Sequence, residues 1–140
     1  MDWIPILSLM VAALAVFIGP TLAARSAKRA MLGPMRQKWI NDLRALLSEV
    51  SSRCLHYYQA GYENRIEEEY QHITDLEHQI IFMINPNEPE HQALVKIVRT
   101  MVGALEKGKD GDKEFISSYE QLLKDGRAVL KREWEVVKKA

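Results

Sequence analysis

Cysteine, glycine and proline are all scarce in this chain of 140 residues, and neither sign of charge is in excess. A single cysteine, Cys54, excludes an internal disulfide framework and a cysteine-based structural zinc site within one chain. Lysine plus arginine number 19 and so do aspartate plus glutamate, which removes the broad electrostatic footprint of a nucleic-acid binder. Seven glycines and five prolines in a 47% hydrophobic chain argue against disorder. The length allows one compact domain and leaves no room for a second sizeable one. No phosphate-cradling glycine loop, nucleophile elbow or zinc-protease helix is present.

One further absence is local. Trp3 to Ala24 contains no charged residue. At about 1.5 Å per helical residue the stretch reaches roughly 33 Å, enough for the hydrocarbon core of a bilayer. A cleaved signal peptide is the competing reading, with Ala23 and Ala24 as a small-residue site, but only Asp2 and the amino terminus precede the run. Arg25, Lys28, Arg29, Arg36 and Lys38 follow with no acidic residue among them. The positive-inside rule then keeps the rest of the chain in the cytoplasm, with the N-terminus outside and Trp3 at the outer interface. Ser8, Ala12, Ala15, Gly19 and Ala23 recur at spacings of three or four, a stripe of small side chains that lets helices approach closely in lipid. Ile4, Leu7, Val11, Leu14 and Ile18 lie on another side. Gly19-Pro20 predicts a kink.

Beyond the anchor (residues 1–24) and a basic connector (25–34) ended by Gly33-Pro34, residues 35–140 read as a helical domain. Apolar residues recur with helical period from Trp39 through Leu43, Val50 and Cys54, and again from Ile66 through Ile73, Leu76 and Ile80 to Ile84. Gly61 weakens this pattern without ending it, so 35–84 is one long helix or two nearly collinear ones, and a single helix of that length would need neighbouring subunits. Asn85-Pro86-Asn87 is a turn, with Asn87 and Glu90 as a capping pair for a helix from about Glu88 to Leu105. Lys107 to Asp112 forms a loop. The last helix carries Phe115, Ile116, Tyr119, Leu122, Leu123, Val129, Leu130, Trp134 and Val137. With no strand run, the class is all-α: a single transmembrane helix followed by a cytoplasmic helical bundle.

Charge is sorted along the chain. Residues 63–90 hold eight acidic residues against Arg65 alone, whereas the last helix is rich in lysine and arginine. Such blocks form a solvated face or dock one subunit on the next. Glu69 and His72 have the spacing of two metal ligands on one helix, but the second motif of a carboxylate-bridged centre is lacking. Asp75-Leu76-Glu77-His78 lies on the same helix and points elsewhere, and Glu88 and His91 straddle a turn, so no metal or other cofactor is expected. Asp110, Asp112 and Glu114 alternate like a calcium loop, but Phe115 stands where glycine is required. Arg65 and His72 would lie nearly two turns apart on one helical face, within reach of a phosphodiester. Their spacing resembles the Arg/His signature of HEPN ribonucleases, although Ile66 follows the arginine where a polar residue is usual. The bland alternative pairs Arg65 with Glu68 or Glu69. No enzymatic activity is expected.

Arg36-Gln37-Lys38-Trp39-Ile40-Asn41-Asp42-Leu43-Arg44 just beyond the span, together with Asn85-Pro86-Asn87-Glu88-Pro89-Glu90-His91, resembles small single-span bacterial membrane proteins of phage-defence loci. The layout is similar in particular to the pore-forming membrane accessory proteins of type VI-B CRISPR systems. That resemblance implies a homo-oligomer in the bacterial inner membrane that perturbs the membrane when a nuclease partner detects invading nucleic acid, with lipid and its own copies as partners and no direct nucleic-acid contact. The alternative is a membrane-anchored helical adaptor that recruits a soluble partner.

Overall fold

A computed structural model describes residues 3–139, apart from the side chains of Ile4, Pro5, Ile6, Leu14, Phe17 and Arg29; the expectations for Asp2 and for the side chains of Ile4, Leu14 and Arg29 lie outside the described residues. Four α-helices carry the chain: α1 (Ile4–Gln59), α2 (Glu67–Met83), α3 (Pro89–Glu106) and α4 (Asp112–Lys139). Short 3-10 turns at Tyr62–Asn64 and Gly108–Gly111 join two of the connections. No strand occurs among the described residues.

α1 has 56 residues and runs unbroken through Pro20 and Pro34, a length of about 84 Å. Residues 25–34, expected as a connector, are part of it. A proline in a helix interior removes one ladder hydrogen bond, the one to the carbonyl four residues before it, and hydroxyls in the same stretch bond other carbonyls. Thr21 Oγ1 donates to Ile18 O at 2.8 Å and Ser26 Oγ to Ala23 O at 2.9 Å. The helix is long and apolar enough to cross a membrane, with a mean hydropathy of 2.1 over its best window, none of it buried. Leu7, Leu9, Met10, Val11 and Val16 all stand exposed.

The reversal at Gly61 corrects the expectation of a straight or nearly collinear continuation from 35 to 84. Gly61 adopts φ 77° and ψ 153°, a region essentially closed to residues with a Cβ. The chain folds back, and α2 packs on the second half of α1. That half therefore needs no neighbouring subunit to cover it. α1 also packs on α4, and α3 on α4 and α2, around one core. Leu43, Leu47, Val50 and Cys54 of α1 meet Ile73, Leu76 and Ile80 of α2 there, with Leu94, Val98 and Met101 of α3 and Phe115, Leu122 and Val129 of α4. Burial pushes the Cys54 thiol up to about 12, so it stays an unreactive core thiol.

One local reading changes. α3 begins from Glu88, with Pro89 in its first turn, rather than from an Asn87–Glu90 capping pair. Asn87 N–H instead donates to Asn85 Oδ1 at 3.1 Å, an Asx turn that lets Pro86 reverse the chain. In α4 the inward stripe is Phe115, Ser118, Leu122, Gly126, Val129 and Glu133, and Ile116, Leu123 and Trp134 lie on its exposed flank.

Replacing Gly61 by alanine is predicted to lower stability by about 1–3 kcal/mol, because the turn has no alternative conformation. Gly103→Ala, inside α3 where an added Cβ meets nothing within 4 Å, should be neutral or stabilising. Thermal unfolding of the full chain in detergent checks both; equal melting temperatures would contradict this account of the reversal.

Candidate functional site

The inward stripes of three helices each end in a polar residue, and the three ends coincide. On α1 the stripe Cys54, Val50, Leu47, Leu43 extends back to Trp39 and Arg36. On α3 Leu94 is preceded by His91, and on α4 Val129 is followed by Glu133. His91 is 2% exposed and Glu133 3%. They sit at the end of the core from which the apolar half of α1 departs.

Arg36 reaches across to Glu133, Nε to Oε2 at 3.1 Å and Nη2 to Oε2 at 3.0 Å. Trp39 Nε1 donates to Met83 O at 3.0 Å, which ties the end of α2 to α1. The Trp39 ring stacks on His91 with centroids 5.7 Å apart and planes at 28°. Glu88, held by Asn85 Nδ2 at 2.9 Å, brings its other oxygen toward His91. Arg132 closes the group from α4: its guanidinium pairs with Glu88, with Glu90 at 2.7 Å and with Glu133 at 3.3 Å. The acidic stretch and the basic last helix thus meet within one chain at this corner. An open cleft of about 290 Å³ gives access past Arg36, Asn85 and Glu88.

Electrostatics follow from these partners. The Asn85 amide and the nearby Arg132 and His91 hold the Glu88 carboxyl below its ordinary value. Arg132 does the same to Glu90, and Glu90 in turn raises Arg132. His91 is the exception to full pairing: neither ring nitrogen has a hydrogen-bond partner, although both are buried. Nε2 lies 3.7 Å from Glu88 Oε2 and 3.8 Å from Glu133 Oε1. Those distances are too long for hydrogen bonds.

The residues singled out from sequence fall elsewhere or in part here. Arg65 stands before α2 in extended backbone, so it does not share a helical face with His72. Its Nε donates to Tyr57 O at 3.1 Å and its Nη1 to Leu105 O at 3.2 Å, capping the ends of α1 and α3, and its guanidinium lies 4.1 Å over the Tyr62 ring. The expected partner Glu69 pairs with Arg53 at 3.0 Å instead, and His72 faces Glu49 at 3.4 Å. His78 Nδ1 contacts Thr74 O at 2.8 Å. Asp112 accepts the Tyr62 hydroxyl and Glu114 pairs with Lys107, so the acidic triplet does not converge on a cation. Ser8, Ala12, Ala15, Gly19 and Ala23 lie exposed along α1, as do Arg25 and Lys28. Lys38 pairs with Asp42, and Arg36 belongs to the cluster rather than to a free basic collar.

Glu133 was missed, and a signal for it exists: it continues the inward spacing of α4 one turn past Val129. The two motifs quoted for the resemblance come together here, through Arg36 and Trp39 of one and Glu88 and His91 of the other. Comparison with protein-family models, with curated proteins and with solved structures gives no match.

Glu133→Gln should cost about 1–3 kcal/mol, since it removes the charge that two guanidinium groups address in a buried position. For Glu88 and Glu90 the folded values are depressed, so their stabilisation is present above the ordinary carboxylate range and is lost as pH falls through their folded values. Glu77, raised by burial, acts in the opposite sense. Melting temperature followed from neutral pH to below about pH 4 should therefore fall, and fall less steeply in Glu88→Gln/Glu90→Gln. Identical acid profiles would refute the assignment.

Proposed function

We propose that this chain is a single-span inner-membrane protein with its helical bundle on the cytoplasmic side, acting as a homo-oligomeric membrane-perturbing effector in antiviral defence. The observation that carries the membrane part is the uncovered apolar half of α1, exposed along its described length and continuous with the packed half. Burial of that surface in lipid removes the largest apolar exposure in the molecule. Arg25 and Lys28, exposed just past the apolar run, favour the orientation with the bundle inside.

Assembly rests on the small-residue stripe. With one span per chain, Ala12, Ala15, Gly19 and Ala23 find a packing partner only in another copy or another protein. An unbroken α1 transmits any rearrangement among spans directly to the bundle, and the reverse. The defence role, with a nuclease as the soluble partner, rests on the resemblance carried by the Arg36–Arg44 and Asn85–His91 motifs.

A second reading, a membrane-anchored adaptor, is favoured by one observation: the bundle core closes on itself, and so leaves its outer faces for other proteins. Phe82 is 86% exposed on such a face.

The two readings separate in detergent. The effector reading predicts a particle several times the 16.1 kDa protomer mass by native mass spectrometry, and loss of membrane potential on overexpression. Ala12→Leu/Ala15→Leu/Gly19→Leu should reduce both while leaving the protein in the membrane fraction. A monomer that leaves the potential intact would discard the effector reading.

A further inference from the structure

From the corner where α1, α3 and α4 meet, we infer that Glu88, His91 and Glu133 form a binding site for a borderline divalent transition-metal ion such as zinc. One ligand atom from each lies within 4.8 Å of the others. The second, independent observation is His91 itself, 2% exposed with neither ring nitrogen hydrogen-bonded. A buried polar group left without a hydrogen bond is rare in native proteins, and an ion bound at Nε2, the nitrogen that faces the carboxylates, would supply that nitrogen's partner.

The distances fit the same conclusion. His91 Nε2 sits 3.7 Å and 3.8 Å from the two carboxylate oxygens, longer than a hydrogen bond. Ligand bonds of about 2.0–2.2 Å around one ion separate neighbouring ligand atoms by roughly 3.2–3.6 Å, a few tenths of an ångström inside the two His91–carboxylate distances, while the two carboxylate oxygens lie within 4.8 Å of each other and close in as the ion draws them. One imidazole and two carboxylates neutralise a dication, and the imidazole selects a transition metal over magnesium or calcium. The stacked Trp39 ring fixes the imidazole plane. Arg36 holds the outer oxygen of Glu133, the kind of supporting contact that orients a ligating carboxylate. Remaining positions on the ion fall to water from the adjoining cleft.

Arg132 is the competitor. Its Nη2 addresses the same two oxygens, Glu88 Oε2 and Glu133 Oε1, that face His91. Its Nη1 also pairs with Glu90 at 2.7 Å, and its side chain is 38% exposed, so it has a place to withdraw to when an ion enters. Arg132 therefore lowers the affinity of the site without abolishing it. The ion would clip the turn before α3, the first turn of α3 and the end of α4 together where the apolar helix departs.

The test uses the full chain in detergent, stripped with a chelator and titrated with Co²⁺, then with Zn²⁺ in competition. The expected result is one ion per chain, a visible ligand-field band displaced by Zn²⁺, and a higher melting temperature with metal. His91→Gln should lose the band and the shift while remaining helical by circular dichroism. Arg132→Met should bind at least about tenfold more tightly, because a cation no longer competes. Absence of band and shift in the wild-type chain overturns the site. Equal binding by the wild type and a folded His91→Gln places the ion elsewhere and overturns it as well. Oligomer formation does not enter either readout, so failure here is distinct from failure of the effector reading.

Discussion

The continuity of α1 sets the terms for everything else in the molecule. A helix of 56 residues has only one backbone, yet its two halves need different surroundings. The second half alternates polar and apolar residues and is covered by α2 and α4. The first half carries the uncharged run from Trp3 to Ala24 and, among the described residues, has no cover within the chain. The helical hydrogen-bond ladder satisfies the backbone in either medium, so one uninterrupted rod is able to pass from lipid to packed protein without an exposed seam. Pro20 and Pro34 do not break it.

Because the rod is unbroken, its packed half has to be enclosed by the rest of the chain, and the turn chemistry serves that need. Gly61 supplies the one backbone conformation that sends α2 back along α1, and Arg65 then caps the carbonyl ends of α1 and α3 at once. At the opposite end the Asn85 side chain shapes the turn into α3 while holding Glu88 toward the cluster. The same corner gathers Arg36, Arg132, Glu88, Glu90 and Glu133, five charges of mixed sign around a histidine with no hydrogen bond of its own. Unpaired, these groups would be costly to bury; mutually paired, they mark where the helices must register.

Much of this was legible in the residues. Helical periodicity marked the apolar stretches of the packed half of α1 and of α2, α3 and α4 without showing where α1 gives way to α2, and the uncharged run from Trp3 to Ala24 marked the apolar half of α1. The reversal at Gly61 was harder, because the apolar period resumes beyond it and period alone does not distinguish a continued helix from one folded back on itself. Gly33-Pro34 carries the ordinary signals of a helix end, and only the context of α1 overrides them. For the cluster, spacing along the chain brings together only Glu88 and His91, which straddle a turn and a helix start. Glu133 comes from α4, brought in by tertiary folding. Its one sequence trace is its position, since a carboxylate standing at an inward-facing spacing after Phe115, Leu122 and Val129 demands a buried partner. Arg65 misled in the opposite way: a linear spacing to His72 implied a shared helix face, whereas the chain is extended at Arg65.

The claim that α1 is a single rod from lipid into the packed helices is tested most directly by amide hydrogen exchange of the full chain in lipid nanodiscs. The account predicts slow exchange across residues 7–24 and equally unbroken protection through 25–34 into the packed half. Rapid exchange in 25–34 would make that stretch a flexible tether, and rapid exchange in 7–24 would remove it from the bilayer; either result contradicts the account.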